Sequence, residues 1–239
     1  MARLAPHHLL RILEAKAATP AQANALRNVL RQLLQHGFER GWRSDNPIRD
    51  VKRLRYKKKP YRTWSEDDIA AFVAHWPRGS RARLALELLL HTGQRRSDVI
   101  RMGPQHVTNG LMVVRQQKTG TELEIPLHPD LCAELVEAPK GHLAFLVTEQ
   151  GRRPFASGGA FYNWFVECAE KAGIAPGLSP HGLRKATARR LAEAGCTPHQ
   201  IAAITGHQSL KEVERYTRAA DQKRLAAAAV VRLSKRDGD

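Results

Sequence analysis

The 239-residue sequence predicts a mainly α protein with a small antiparallel β-sheet, an α+β fold. Three observations predict it. Apolar residues recur at helical spacing over most of the chain. The period changes near the middle, where Leu111-Met112-Val113-Val114 and Leu123-Glu124-Ile125-Pro126-Leu127 read as two strands joined through Lys118-Thr119-Gly120. Helical patterns then return and continue to about residue 234.

Residues 1–48 read as a short helical region. Thr19-Pro20 can cap and begin a helix, since proline at the first helical position lacks only an N–H that would be unbonded anyway. Ala25, Val29, Leu33, Leu34 and Phe38 form its expected apolar face, and Gly37 and Gly41 mark its decay. Another short helix fits within 1–16. Two such helices cannot build a substantial core alone. Asn46-Pro47 then signals a turn.

The stretch 49–62, R-D-V-K-R-L-R-Y-K-K-K-P-Y-R, holds eight Lys or Arg and one Asp, with Tyr56 and Tyr61 interleaved. It reads as a basic linker lying along phosphates, through Arg53, Arg55, Lys57, Lys58, Lys59 and Arg62. A solvated charge run is the plainer alternative. Residues 63–239 form the second part. Ser65 is its first N-cap, with Glu66, Asp67 and Asp68 in the first turn. Helices are expected at 65–76, 80–92, 95–101, 129–137, 157–172, 180–195, 198–205, 210–217 and 221–234.

Composition narrows the partners. A formal charge of +16 and a pI near 10.4 make the chain repel itself unless a polyanion is near. Nucleic acid is therefore the first partner to consider, with anionic lipid as the weaker alternative. Cys132, Cys168 and Cys196 are widely spaced and form no C-x-x-C, which predicts free thiols in a reducing cytosol. No apolar run reaches 18 residues and the first residues lack a secretory pattern, so a cytoplasmic, DNA-associated protein is expected. No H-E-x-x-H, compact carboxylate cluster or G-x-x-x-x-G-K-[ST] occurs, and no metal or cofactor is expected. His7, His8, His36, His75, His106, His128, His142 and His199 lack ligand spacing and read as surface or turn residues. Trp42, Trp64, Trp76 and Trp164 read as packing residues.

Three motifs remain. In Ser179-Pro180-His181-Gly182-Leu183-Arg184, a capped helix start places His181 and Arg184 on one face. Cations are unfavourable at a helix N-terminus, so their placement suggests an anionic ligand; a solvent-exposed basic turn is the alternative. Gly206-His207-Gln208-Ser209 precedes a capping box of Ser209 and Glu212, and Tyr216 sits two turns into that helix. A buried core tyrosine would look the same. Finally, His91-Thr92-Gly93-Gln94-Arg95-Arg96-Ser97-Asp98 ends an apolar helix at Gly93 and follows it with two arginines. Asp98 could hold one of them by a paired carboxylate contact.

In this order, T-G-x-R-x-S-D at 92–98, Lys118 in K-T-G, H-x-L-R at 181–184, G-H at 206–207 and Y-T at 216–217 resemble the catalytic domain of the tyrosine recombinase (phage integrase) family. The resemblance covers about 63–220. Asp98 stands where the family usually has Glu. The resemblance implies the tyrosine recombinase catalytic fold and a role for each residue. Tyr216 would attack phosphorus and form a 3′-phosphotyrosine. Arg95 and Arg184 would clamp the non-bridging oxygens. Lys118 would protonate the 5′-oxygen, His181 would assist as base, His207 would hydrogen-bond the phosphate, and Asp98 would support. It implies double-stranded DNA as substrate, a homotetramer on paired sites, a monomer or dimer when free, and accessory DNA-bending proteins as possible partners. Residues 1–48 are shorter than the family's usual N-terminal bundle, although W-R-S-D-N-P-I-R-D-V-K resembles its tail. A topoisomerase-like enzyme that relaxes DNA and a non-catalytic DNA-binding relative are the alternatives. A basic RNA-binding protein would expose aromatics on a sheet, a pattern this sequence lacks.

Overall fold

The computed structural model describes residues 4–57, 61–149 and 153–236. The chain divides into two compact units, Met1–Pro60 and Tyr61–Asp239. The basic stretch 49–62 falls on both sides of that division, and Lys58 and Lys59 lie outside the described residues.

In the first unit, α1 (Pro6–Glu14) and α2 (Pro20–Glu39) bury a small cluster of Leu9, Leu13, Leu34, Ile48 and Val51. Leu26 and Leu30 pack against it. The inward face of α2 is therefore not the expected one. Val29, Leu33 and Phe38 are exposed, whereas Ala23, Arg27, Leu34 and Gly37 are buried. Arg27 explains the shift of phase. Its Nε donates to the Val51 carbonyl at 2.6 Å and its Nη2 to that of Ile48 at 3.4 Å, so a polar residue occupies a core position. Asn24 grips Leu54 from both sides, donating to its carbonyl at 2.9 Å and accepting its N–H at 3.0 Å. Gly37 does not end the helix; Gly41, with φ +70°, follows its end.

The second unit is built around α4 (Arg81–Thr92), whose residues from Ala82 to Leu90 are mostly buried. Ser80 caps it through the Arg83 N–H at 3.2 Å. It ends at Gly93, with φ +60°, where a Cβ would come 3.0 Å from Thr205. Before it lies α3 (Glu66–His75), opened by a Ser65–Asp68 capping box. After it come α5 (Arg96–Val99) and a sheet of β1 (Val107–Thr108), β2 (Leu111–Arg115) and β3 (Glu122–Pro126), antiparallel in the order β1-β2-β3. Met112 pairs with Ile125, and both face the core with Val114. Then follow α6 (Pro129–Glu137), α7 (Gly158–Lys171), α8 (Pro180–Glu193), α9 (Pro198–Thr205) and α10 (Leu210–Arg236).

The aromatic side chains Trp64, Phe72, Phe161 and Phe165 are fully buried in this core. Each is worth about 1.5–3 kcal/mol by burial. Trp76 and Trp164 pack against it, but Trp42 is 70% exposed and meets His36 edge-on, against the expectation of packing. The expected break between 217 and 221 is absent because R-A-A-D contains neither glycine nor proline, and α10 runs through it. All three cysteines are free, and burial pushes the Cys168 thiol up to about 11. Among the described residues no helix is long and apolar enough to cross a membrane.

Candidate active site

Helix α8 supplies the centre of the site. It packs against α4 and α10, and Arg184 near its start reaches the carbonyls at the ends of α4 and α9. Gly182 permits a close approach: a Cβ there would lie 2.3 Å from the Arg62 carbonyl and 2.9 Å from the Trp64 ring. The segment Tyr61–Trp64 is thereby pinned over the helix start. Trp64 Nε1 donates to the Ser179 carbonyl at 3.0 Å, Lys185 Nζ to that of Tyr61 at 2.8 Å, and Arg62 Nη1 to that of Pro176 at 3.2 Å. The Tyr61 ring meets His181 edge-on at 4.7 Å. Tyr61 was legible only as one of two tyrosines in a basic run. Ser179 is the N-cap, yet its hydroxyl makes no capping bond and is buried without a partner among the described residues.

Arg184 is 3% exposed. Its Nη1 donates to the Gly93 carbonyl at 2.7 Å and the Thr205 carbonyl at 2.6 Å, while its Nη2 is buried with no partner among the described residues. Burial and then the charge of Arg95 bring its pKa down to about 10, which leaves it charged at neutral pH. Arg95 is the N-cap residue of α5, and its Nη1 donates to Gln116 Oε1 at 2.9 Å.

Gln116 is a residue that motif reading missed. It is fully buried at the end of β2, where it accepts from Arg95 and Thr119 and donates to Gln94 and the Thr205 carbonyl. A neutral amide between strand and turn carries no motif signal beyond its place two residues before Lys118.

Asp98 departs from expectation. Among the described residues no ion pair joins it to an arginine. Its Oδ1 accepts the Gln117 N–H at 2.9 Å, and its Oδ2 is buried without a hydrogen-bond partner among those residues. The carboxylate therefore holds the base of the β2–β3 hairpin, because Gln116 occupies the place of acceptor to Arg95. Lys118 is exposed at the tip of that hairpin, with Gly120 closing the turn at φ +70°.

His207 follows the left-handed Gly206 that ends α9. Thr205 Oγ1 donates to the Ile201 carbonyl at 2.6 Å, so toward His207 Nδ1, also at 2.6 Å, it serves as acceptor. That fixes the proton on Nδ1 and leaves Nε2 facing Glu212 Oε2 at 4.0 Å. Burial, then Arg184, Arg95 and His181, bring the His207 pKa down to about 4. Burial, then Arg184, Lys185, Arg95 and Arg96, also hold His181 below the usual histidine range. Tyr216 is half-buried on α10 beside Val213, Ile201 and Ala188. Burial holds its phenol above the ordinary range, and Arg184 opposes that shift. The fold brings Arg95, Arg184, His181, His207 and Tyr216 close enough for their charges to act on one another.

Of the other sequence-predicted contacts, Arg53, Arg55 and Lys57 are exposed in the first unit, where Arg53 donates to Asn28 at 2.9 Å. Arg62 is exposed in the second. His91, His128 and Asp130 come within 4.8 Å of one another, although spacing gave no hint of it. The two imidazoles stack in parallel at 4.1 Å and 9°, so their in-plane lone pairs do not converge on a common point. His91 is also paired with the buried Glu87 at 2.8 Å.

The model of the phage integrase family matches residues 63–223. The tyrosine recombinase XerD of Caulobacter vibrioides is 28% identical over 231 residues, covering 88% of this chain and 74% of that protein. Among solved structures, a lambda integrase dimer bound to a COC′ core site superimposes with a TM-score of 0.73 at 22% identity, covering 91% of this chain and 81% of the other. A lambda integrase tetramer bound to a Holliday junction gives 0.72 at 22% identity, covering 87% and 66%. At such identities the structural likeness speaks for the fold.

Proposed function

The chain belongs to the phage integrase family, and from that premise we propose that it cleaves and rejoins DNA strands through a covalent 3′-phosphotyrosine on Tyr216. The observation that carries this reading is the Arg184 guanidinium. It is buried, with one terminal nitrogen locked onto two carbonyls and the other without a partner among the described residues, and Arg95 stands close enough to lower its pKa. The two cations repel each other, with Asp98 opposing part of the shift, and a phosphodiester relieves that repulsion.

The chemistry follows from the groups present. Arg95 and Arg184 bind the non-bridging oxygens and stabilise the charge that develops on phosphorus. His181, kept neutral by its surroundings, accepts the Tyr216 proton. The phenolate oxygen bonds to phosphorus and the bond to the 5′-oxygen breaks. Lys118 supplies the proton to that oxygen. The phosphate also offsets the arginine charges that depress His207, so His207 can gain a proton and donate from Nε2. The phosphotyrosine keeps the energy of the broken bond, so rejoining needs no ATP in this scheme. The arginines perform the charge neutralisation for which other enzymes use a metal. Asp98 supports by fixing the hairpin of Lys118.

The substrate proposed is duplex DNA, in keeping with the charge of +16 and with the DNA-bound lambda integrases of the same fold. The tetramer on a Holliday junction supports a homotetramer on paired sites for this chain too. Arg53, Arg55, Lys57, Lys58, Lys59 and Arg62 serve as phosphate contacts in the same reading. A nicked suicide substrate, which loses the strand needed for rejoining, tests it. The expected result is a trapped covalent adduct with the native chain and none with Tyr216→Phe. An adduct that persists in Tyr216→Phe overturns the assignment of the nucleophile.

A further inference from the structure

We propose that Gln116 is the positioning residue that sets Arg95, and that it ties the hairpin bearing Lys118 to the helix end bearing His207. The inference rests on the strand-transfer reading above, but its geometry stands by itself. An amide oxygen can accept two hydrogen bonds and an amide nitrogen can donate two. All four are made here. Oε1 accepts Arg95 Nη1 at 2.9 Å and Thr119 Oγ1 at 2.8 Å. Nε2 donates to Gln94 Oε1 at 2.6 Å and to the Thr205 carbonyl at 3.0 Å.

The orientation of the amide is dictated by the backbone. Gln94 Nε2 donates to the carbonyls of Thr92 at 2.9 Å and Ile204 at 2.8 Å, so its oxygen must face Gln116. A flipped Gln116 would set oxygen against that oxygen and against the Thr205 carbonyl. Its Oε1 therefore faces Arg95 and Thr119. The same Thr205 carbonyl also accepts from Arg184 Nη1 at 2.6 Å, so one backbone oxygen joins the supports of both arginines. Gly206 completes the fit, because a Cβ there would stand 2.3 Å from Gln116 Nε2.

Neutrality explains why an amide rather than a carboxylate holds the guanidinium. A carboxylate at Oε1 would cancel the charge that Arg95 has to present to the phosphate. The amide fixes direction and leaves the full positive charge for the substrate. This also explains why Asp98 is turned to the Gln117 N–H instead.

The test is single-turnover cleavage by Gln116→Met on two nicked substrates, one ordinary and one with a methylphosphonate at the scissile position. The methyl group removes the negative charge that Arg95 answers. On the ordinary substrate the rate should fall about 100-fold, as a misdirected group near the reacting centre does. On the methylphosphonate the deficit should shrink below about tenfold, because the oriented charge matters less there. An equal deficit on both substrates means a general structural role, and no deficit means that the relay is not needed; either overturns the proposal. A second measurement needs no variant of Gln116 and no activity. In the arginine side-chain NMR spectrum of the native chain, the Arg95 Nη signals, identified by their loss in Arg95→Lys, should be resolved from each other because one is held. A single averaged signal overturns the inference. If the native chain forms no covalent adduct, the strand-transfer reading fails, and this spectrum still decides the relay.

Discussion

The site has two kinds of residue, and they are built differently. Arg95, Arg184 and His207 are each held by hydrogen bonds to buried partners: Gln116, the Gly93 and Thr205 carbonyls, and the Thr205 hydroxyl. The side chains of Lys118, His181 and Tyr216 make no hydrogen bond among the described residues, and Lys118 stands exposed on a turn. The held residues are those that answer fixed charge. The free ones are those through which protons and the new bond must pass in the proposed reaction. Preorganisation is useful where charge develops, because a dipole or cation already aimed costs nothing to reorient at the moment of reaction. A proton donor or nucleophile gains its partner only with the substrate.

That contrast can be broken at several points. The largest effect is expected at Lys118. Lys118→Ala should slow cleavage by roughly 10²–10⁴-fold, as loss of a general acid does. Its folding stability should stay within about 0.5 kcal/mol of the native value, because the residue is exposed. A 5′-bridging sulfur, which leaves without a proton, should restore its rate; failure to do so removes Lys118 as the acid. Next, Arg184→Ala should lose about 10²–10³ in cleavage rate, with DNA affinity nearly unchanged, since it acts on transition-state charge. An equal fall in affinity, measured by titration with duplex DNA, would make Arg184 a mere backbone anchor.

His207 gives a pH test of the held group. Its folded pKa is about 4 against an ordinary 6.5. Above pH 6.5 neither the folded nor the unfolded form carries the proton, and the full stability is present. As pH falls below that, the unfolded chain takes up the proton first, and stability is lost down to about pH 4. The total is about 3 kcal/mol. Denaturant unfolding of the native chain and His207→Gln, compared at pH 7 and pH 4, should show the native chain losing that much more. Parallel losses would mean that His207 is not held neutral. The smallest effect is expected at Asp98. Asp98→Asn keeps an oxygen for the Gln117 N–H, so cleavage should fall less than about fivefold, within the worth of one retained hydrogen bond. A much larger loss would restore Asp98 as a counter-ion to arginine.

Much of this was legible in the sequence because local signals and tertiary structure agree. Pro129 and Pro198 each open a helix whose bounds periodicity found, and the K-T-G turn marked the hairpin. The residues of the proposed phosphate site stood out because five short motifs stood in order. What was hidden depended on polar groups in buried places. Arg27 occupies the inward face of α2, so apolar spacing alone put that face out of phase. Gln116 and Tyr61 act through contacts with residues far away in sequence, and neither has a spacing to announce it. The two-residue β1 is too short to show alternation.

The central claim is that Tyr216 becomes covalently bonded to the 3′-phosphate of a cleaved strand. It is tested most directly by trapping the adduct on a nicked duplex, trimming the DNA with nuclease and measuring the peptide masses. The expected result is that the peptide containing Tyr216, and no other, carries the residual nucleotide mass through a 3′-phosphate. Nucleotide mass on a different residue, or attachment through a 5′-phosphate, would contradict it.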